Sequence, residues 1–216
     1  MQIQPLNNTC FKSRNQTIRF ADDIARRVNQ CYPRVSSTKV ECCNNISKFP
    51  CLENNLMEKV SNCVRKLKSD LFDEDYSFCE NIKAFITPVK KYKIGNCGES
   101  AQLSAIVAKV NGIKDCHLVT LVKNDEEFDH AILLVNDKKP YIIDAWLGFA
   151  DYVPNTIQRY KNEYYKIFNF EPNDKITIAT DLDNAYGDFF KDNFTRKQIN
   201  KIKRIYPEQF IQRGYV

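Results

Sequence analysis

Two of the 216 residues are histidines, His117 and His130, and nine are cysteines. A thiol nucleophile needs a base, and near neutral pH imidazole is the usual one. The two histidines therefore limit where thiol chemistry can sit. His130 follows Asp129 inside an apolar stretch, 128–135, and Asp144 interrupts a second apolar stretch, Tyr-Ile-Ile-Asp-Ala-Trp, at 141–146. A carboxylate in such a strand is costly to bury without a partner. An imidazole on the neighbouring strand would supply one.

Cys97 is the matching nucleophile. It stands after Gly95-Asn96 at the start of a helix expected over 97–110. The helix dipole and unsatisfied N–H groups of that first turn stabilise a thiolate and can receive a developing oxyanion. Gly98 leaves the approach to the sulfur open, and Glu99 suits the first turn electrostatically. Each residue has a bland reading alone: a small buried Cys, a satisfied core His, a turn Asp. Their joint occurrence in the order Cys97, His130, Asp144 suggests nucleophile, base and orienter. His117 is the rival base, but it begins its strand with no evident acidic strand partner.

Three strands must position these groups, at 116–123, 128–135 and 141–146, with a polar turn over 124–127. Register decides whether His130 and Asp144 share a face. A three-residue loop at 136–138 sets them directly opposite. A two-residue loop, Asp137-Lys138, puts them on opposite faces, and a loop from Asn136 to Pro140 permits the useful register. Before the Cys helix, Ile18, Ala21, Ile24, Ala25 and Val28 recur at helical spacing, stopped by Cys31-Tyr32-Pro33. Leu56, Val60, Cys63, Val64 and Leu67 mark a second helix. Phe78, Ile82, Phe85 and Ile86 mark a third, expected to end before Pro88. After the strands, 157–168 is expected helical, 175–179 a short strand and 195–206 a basic helix. The expectation is one α+β domain over 1–216, with a helical part at 1–90, the catalytic core at 91–150 and a mixed part at 151–216.

Composition sets the outer limits. Hydrophobic residues make up 43% and charged residues 27%, which argues against disorder or a fibre. No apolar run is long enough for a transmembrane helix. The net charge of +5 is a mild excess. Its densest stretch, Arg196, Lys197, Lys201, Lys203 and Arg204, reads as a solvated helix face; contact with an anionic partner is the rival. No nucleic-acid motif accompanies it, so no nucleic-acid partner is expected. Seven cysteines precede residue 80, with no CxxC pair and no His among them, so neither metal nor cofactor is expected. The start, MQIQPLNNTC, lacks a basic and apolar leader. Buried free thiols are therefore expected, in a cytoplasmic protein or one exported without a leader.

Gly95-Asn96-Cys97-Gly98-Glu99, Asp129-His130-Ala131 and Ile143-Asp144-Ala145-Trp146 resemble the core of the transglutaminase-like superfamily, which is related to papain-like proteases. The resemblance spans Gly95 to Trp146. It implies a buried Cys-bearing helix packed on an antiparallel sheet, here with additional N-terminal helices. It also implies Cys97 as nucleophile, His130 as base and Asp144 as orienter in amide acyl transfer. The substrate would be a protein, attacked at a glutamine side chain or a peptide bond. The activity implied is that of a protease, a deamidase or a transglutaminase, with a bacterial effector as the leading context. Lys91 stands where papain-like proteases carry the oxyanion-hole glutamine, six residues before the Cys. Asn96, Gly98, Tyr92 and Trp146 are the candidates left for oxyanion or substrate contact. The alternative is an inert binding module of the same fold, with its basic C-terminal helix as the interacting element.

Overall fold

A computed structural model describes residues 16–31, 62, 66, 77–92, 95–179, 190 and 192–207. The helix expected over Leu56 to Leu67 lies outside the described residues. The architecture is mixed α and β, compatible with α+β. The helices are α1 (Gln16–Cys31), α2 (Phe78–Tyr92), α3 (Cys97–Val110), α4 (Val153–Asn162), α5 (Tyr165–Phe168) and α6 (Arg196–Ile205). The strands are β1 (Cys116–Lys123), β2 (Glu126–Val135), β3 (Tyr141–Asp144), β4 (Phe149–Tyr152) and β5 (Ile176–Ala179). They form one antiparallel sheet in the order β4-β3-β2-β1-β5.

The sheet separates two clusters of buried side chains. Leu118, Leu133 and Ile143 point to one face, where α1, α2 and α3 pack. Their neighbours Val119, Ile132 and Ile142 point to the other, with Tyr160, Phe168 and Phe170. This is the two-face alternation of a strand covered on both sides. In α3 every residue from Glu99 to Val110 is buried. Ala101, Ala105 and Ala108 let the helix lie close to the sheet. Its one lysine, Lys109, reaches the Asp192 carbonyl at 3.0 Å. Gly112, at φ 85°, ends the helix, and the Ile113 N–H returns to the Ala108 carbonyl at 2.9 Å.

Several elements depart from the sequence expectation. Helix α2 does not end before Pro88 but runs on to Tyr92. An interior proline costs about 3 kcal/mol. Ile82, Phe85, Ile86 and Val89 are buried on the same helix, and at roughly 1.5–3 kcal/mol each they outweigh it. Strand β2 begins at Glu126 because Asn124 and Asp125, at φ 53° and 67°, make a two-residue turn in place of the longer one expected. The segment expected helical over 157–168 is two helices, α4 and α5, and α4 already starts at Val153. Strand β4 was not anticipated.

Two irregularities bear on the site. Thr120 pairs with Ala131 while Leu121 pairs with Phe128, so Asp129 and His130 bulge from the β1–β2 ladder. Bulges re-aim side chains. Strand β3 stops at Asp144 instead of continuing to Trp146. The Asp144 carboxylate takes the Leu147 N–H at 2.9 Å, and its carbonyl takes the Gly148 N–H at 2.8 Å, closing a turn into β4. Helix α1 clamps that turn. The Asn29 amide donates to the Ala145 and Trp146 carbonyls at 3.0 and 2.9 Å, and Asp22 accepts from the Ala150 N–H at 3.0 Å.

The turn leaves no room at Gly148. Its φ is 82°, and an added Cβ would lie 3.1 Å from Asn29 Cγ. Gly148→Ala should destabilise the fold by roughly 1–3 kcal/mol. Gly98→Ala, whose Cβ would meet nothing within 4 Å, should stay within about 0.5 kcal/mol of wild type. Urea denaturation of both variants measures the contrast; equal stabilities would show that the clamp does not constrain the turn.

Candidate active site

His130 enters the site from the β2 bulge, Asp144 from the end of β3 and Cys97 from the first position of α3. The observed β2–β3 register pairs Leu133 with Ile143 and Val135 with Tyr141, joined by the loop 136–140. That register makes His130 and Asp144 diagonal neighbours on one face. The Asn136–Pro140 loop allowed this at the level of sequence, and it is the loop formed. Diagonal neighbours lie about 7–8 Å apart at Cα, within reach of an imidazole and a carboxylate.

The contact is direct. His130 Nε2 donates to Asp144 Oδ2 at 2.7 Å. The two side chains are 2% and 0% exposed, so little solvent screens their charges. Asp144 receives two further donors: the Tyr160 hydroxyl on Oδ2 at 2.9 Å and the Leu147 N–H on Oδ1 at 2.9 Å. Cys97 lies close enough to act on the imidazole electrostatically, and with Nε2 occupied Nδ1 is the ring nitrogen left to face it. Cys97 is half-buried, whereas the other two free cysteines among the described residues, Cys79 and Cys116, are buried. The side chains of Cys10, Cys31, Cys42, Cys43, Cys51 and Cys63 lie outside the described residues.

Electrostatics follow from this packing. Burial pushes the His130 pKa down, but the Asp144 charge and hydrogen bond, with a smaller part from Cys97, overcome it and raise it to about 10. Burial pushes Asp144 up, and the His130 charge with the His130, Leu147 and Tyr160 hydrogen bonds brings it below the usual carboxylate value. Both shifts favour an imidazolium–carboxylate pair.

An aromatic box holds the imidazole. The rings of Phe168, Trp146 and Tyr160 lie 4.7, 5.3 and 5.9 Å from it. Phe128 packs on Phe168 and Phe170 at 5.7 and 5.1 Å. Trp146, proposed for substrate contact, is thus a buried wall beside His130. Asn96 is the N-cap of α3; its backbone N–H donates to Glu99 Oε2 at 2.9 Å, which fixes the turn that carries Cys97. Gly98 faces open space. Tyr92 closes α2, and its side chain lies outside the described residues. His117, the rival base, is partly exposed and meets Asp115, Nε2 to Oδ1 at 2.8 Å. Among the described residues no group of three His, Cys, Asp or Glu is arranged to hold a metal ion.

Tyr160 and Phe168 were not singled out from the sequence. The signal was present: Val153, Ile157, Tyr160 and Tyr164 recur at helical spacing and share the second core cluster. The basic helix α6 buries Ile202 and exposes Arg196, Lys197, Lys201, Lys203 and Arg204, the pattern of a solvated face. No helix among the described residues is long and apolar enough to cross a membrane. Comparison with known protein families and with curated proteins finds no match.

Losing one member of this pair leaves the other buried without its counter-charge. Asp144→Asn should therefore cost roughly 3–5 kcal/mol near pH 6. The sign of the pH dependence is fixed by the two shifts. His130 contributes fully below its ordinary 6.5 and loses its contribution as pH rises through about 10. Asp144 contributes above its ordinary 3.8 and loses its contribution as pH falls through its lowered value. The stability gap between wild type and variant is then widest between the two ordinary values and narrows as pH climbs from 6.5 to about 10. Urea denaturation across this range tests it; a gap that does not change with pH would refute the ion pair.

Proposed function

We propose that the chain is a cysteine-dependent amide acyl-transfer enzyme acting on a protein through Cys97, His130 and Asp144, on a papain/transglutaminase-like core. One observation carries the reading. A buried histidine is held by a carboxylate on Nε2 and meets a half-exposed thiol with its other side, and that thiol stands at the first position of a buried helix. A structural histidine needs a partner, but it does not need a nucleophile at a helix N-terminus.

The chemistry runs in two halves. The Cys97 thiolate attacks a carboxamide carbon, and the first-turn N–H groups of α3 face the developing oxyanion. The His130 imidazolium gives its proton to the departing nitrogen, the C–N bond breaks and a thioester on Cys97 remains. Water or an amine, deprotonated by the now neutral His130, then attacks the thioester, the C–S bond breaks, and the thiolate and the imidazolium are restored. Water on a peptide bond gives proteolysis, and water on a glutamine side chain gives deamidation. A lysine amine gives a crosslink. Delivery into a host cell as an effector, with a host protein as substrate, is the context we favour.

Protein extracts treated with wild type or with Cys97→Ala and read by mass spectrometry distinguish these outcomes. Mass shifts of about 1 Da on glutamine mean deamidation, new termini mean proteolysis, and isopeptide pairs mean crosslinking. Cys97→Ala should lose more than 10³-fold of the activity, and His130→Ala nearly as much. The double variant should be no worse than Cys97→Ala, because the two act as one unit. If extracts treated with wild type and Cys97→Ala carry the same modifications, the catalytic reading falls and a binding module replaces it.

A further inference from the structure

The Asp144 carboxylate has more donors than an orienting partner of His130 requires. The Tyr160 hydroxyl lies 2.9 Å from Oδ2, the same oxygen that receives His130 Nε2. Tyr160 is fully buried in the second core cluster. Its ring meets the imidazole edge-on at 5.9 Å and packs against Phe149 of β4 at 6.0 Å and Phe168 of α5 at 5.4 Å. These contacts fix where the hydroxyl points. The hydroxyl has an acceptor at hand in the carboxylate, and as a donor it favours the charged form of the acid.

We infer that Tyr160 is a positioning residue: with the Leu147 N–H it clamps the Asp144 carboxylate at both oxygens, holds it ionised and turns Oδ2 toward His130. The inference rests on the acyl-transfer reading for its catalytic meaning and extends it to a residue outside the triad. Oδ1 is tied by the turn at the end of β3 and Oδ2 by helix α4, so the carboxylate plane cannot rotate without breaking a bond to either element. Among the described residues, the ionisable and charged groups that act on the clamp are these. His130 faces it from β2 and Cys97 lies beyond His130 on α3. Arg159 on α4 and Tyr164 just after it act at longer range. The phenol's own ionisation is pushed well up, first by burial and then by the Asp144 charge. It therefore stays a donor over the pH range in which His130 is charged.

Removing the hydroxyl takes one hydrogen bond from the carboxylate, so the Asp144 pKa must rise. The size expected is about one pH unit, that of one hydrogen bond to a charged group. Two histidines make this readable by NMR on protein with labelled histidine, with His117→Gln assigning the second signal. The His130 ring carbon reports the protonation of Asp144 as an acid-side step. In Tyr160→Phe that step should move up by about one pH unit within the range where circular dichroism shows an intact fold. Site-specific replacement of Tyr160 by a fluorotyrosine, a stronger donor of nearly the same shape, should move it down. The fluorotyrosine variant keeps the test open should Tyr160→Phe fail to fold. A step at the same pH in wild type and in every folded variant would overturn the inference. The readout needs no turnover, so its failure is distinct from that of the acyl-transfer reading, which is decided by Cys97→Ala in extracts.

Discussion

The bond between His130 and Asp144 is the interaction on which the other features of the site depend. It joins two buried charges across a single strand pair, at 2.7 Å. A buried carboxylate or imidazolium alone would cost several kcal/mol. Each is tolerable only because the other is there, and both stay in place only if the strands hold one register. A slip of one residue between β2 and β3 would send one group to each face and leave both unpaired. The five-residue loop, the bulge at Asp129-His130 and the turn after Asp144 are the backbone features that keep that register and aim.

Much of this was legible in the sequence, and the parts that were have a common cause. Cys97, His130 and Asp144 stand out because each is polar in an apolar stretch or precedes one. The bounds of α3 follow from an alanine-rich stretch opened after Asn96 and closed by Asn111-Gly112, and those of β1 from a run rich in β-branched residues. Features that depend on distant contacts were not legible. Pro88 looks like a helix end, because nothing local reveals that α2 is buried on both sides of it. Strand β4 is four residues long, Phe-Ala-Asp-Tyr, and owes its pairing to the turn that Asp144 and Gly148 make. Tyr160 lies on a helix that a periodicity argument could place, but its hydroxyl meets Asp144 only once α4 folds back over the sheet. The choice among loop lengths at 136–140 was left open by the sequence and closed by pairing.

The N-terminal helix has a part in the site that its sequence does not suggest. Helix α1 reads as a plain amphipathic element, and its apolar stripe is indeed core. Its polar residues do more. Asp22 and Asn29 lie seven positions apart, two helical turns, on the side that faces β4 and the turn 145–148. Between them they satisfy one N–H and two carbonyls that the turn leaves unpaired, which would otherwise be buried at a cost of about 1–3 kcal/mol each. The turn carries Trp146 into the aromatic box and Leu147 onto the Asp144 carboxylate. A segment more than a hundred residues before the turn thus sets the shape of the box around His130.

That box determines what kind of acid–base partner His130 can be. In water an imidazole is half protonated near its ordinary 6.5 and is as good a base as an acid. Here rings from Phe168, Trp146 and Tyr160 exclude water on three sides, so the Asp144 field reaches the imidazole almost unscreened. The field selects the protonated form of His130. Aromatic walls deliver this without adding any charge beside the pair. Such burial would expel a lone charge; at His130 it instead strengthens the pairing with Asp144 enough to set the protonation state of both groups.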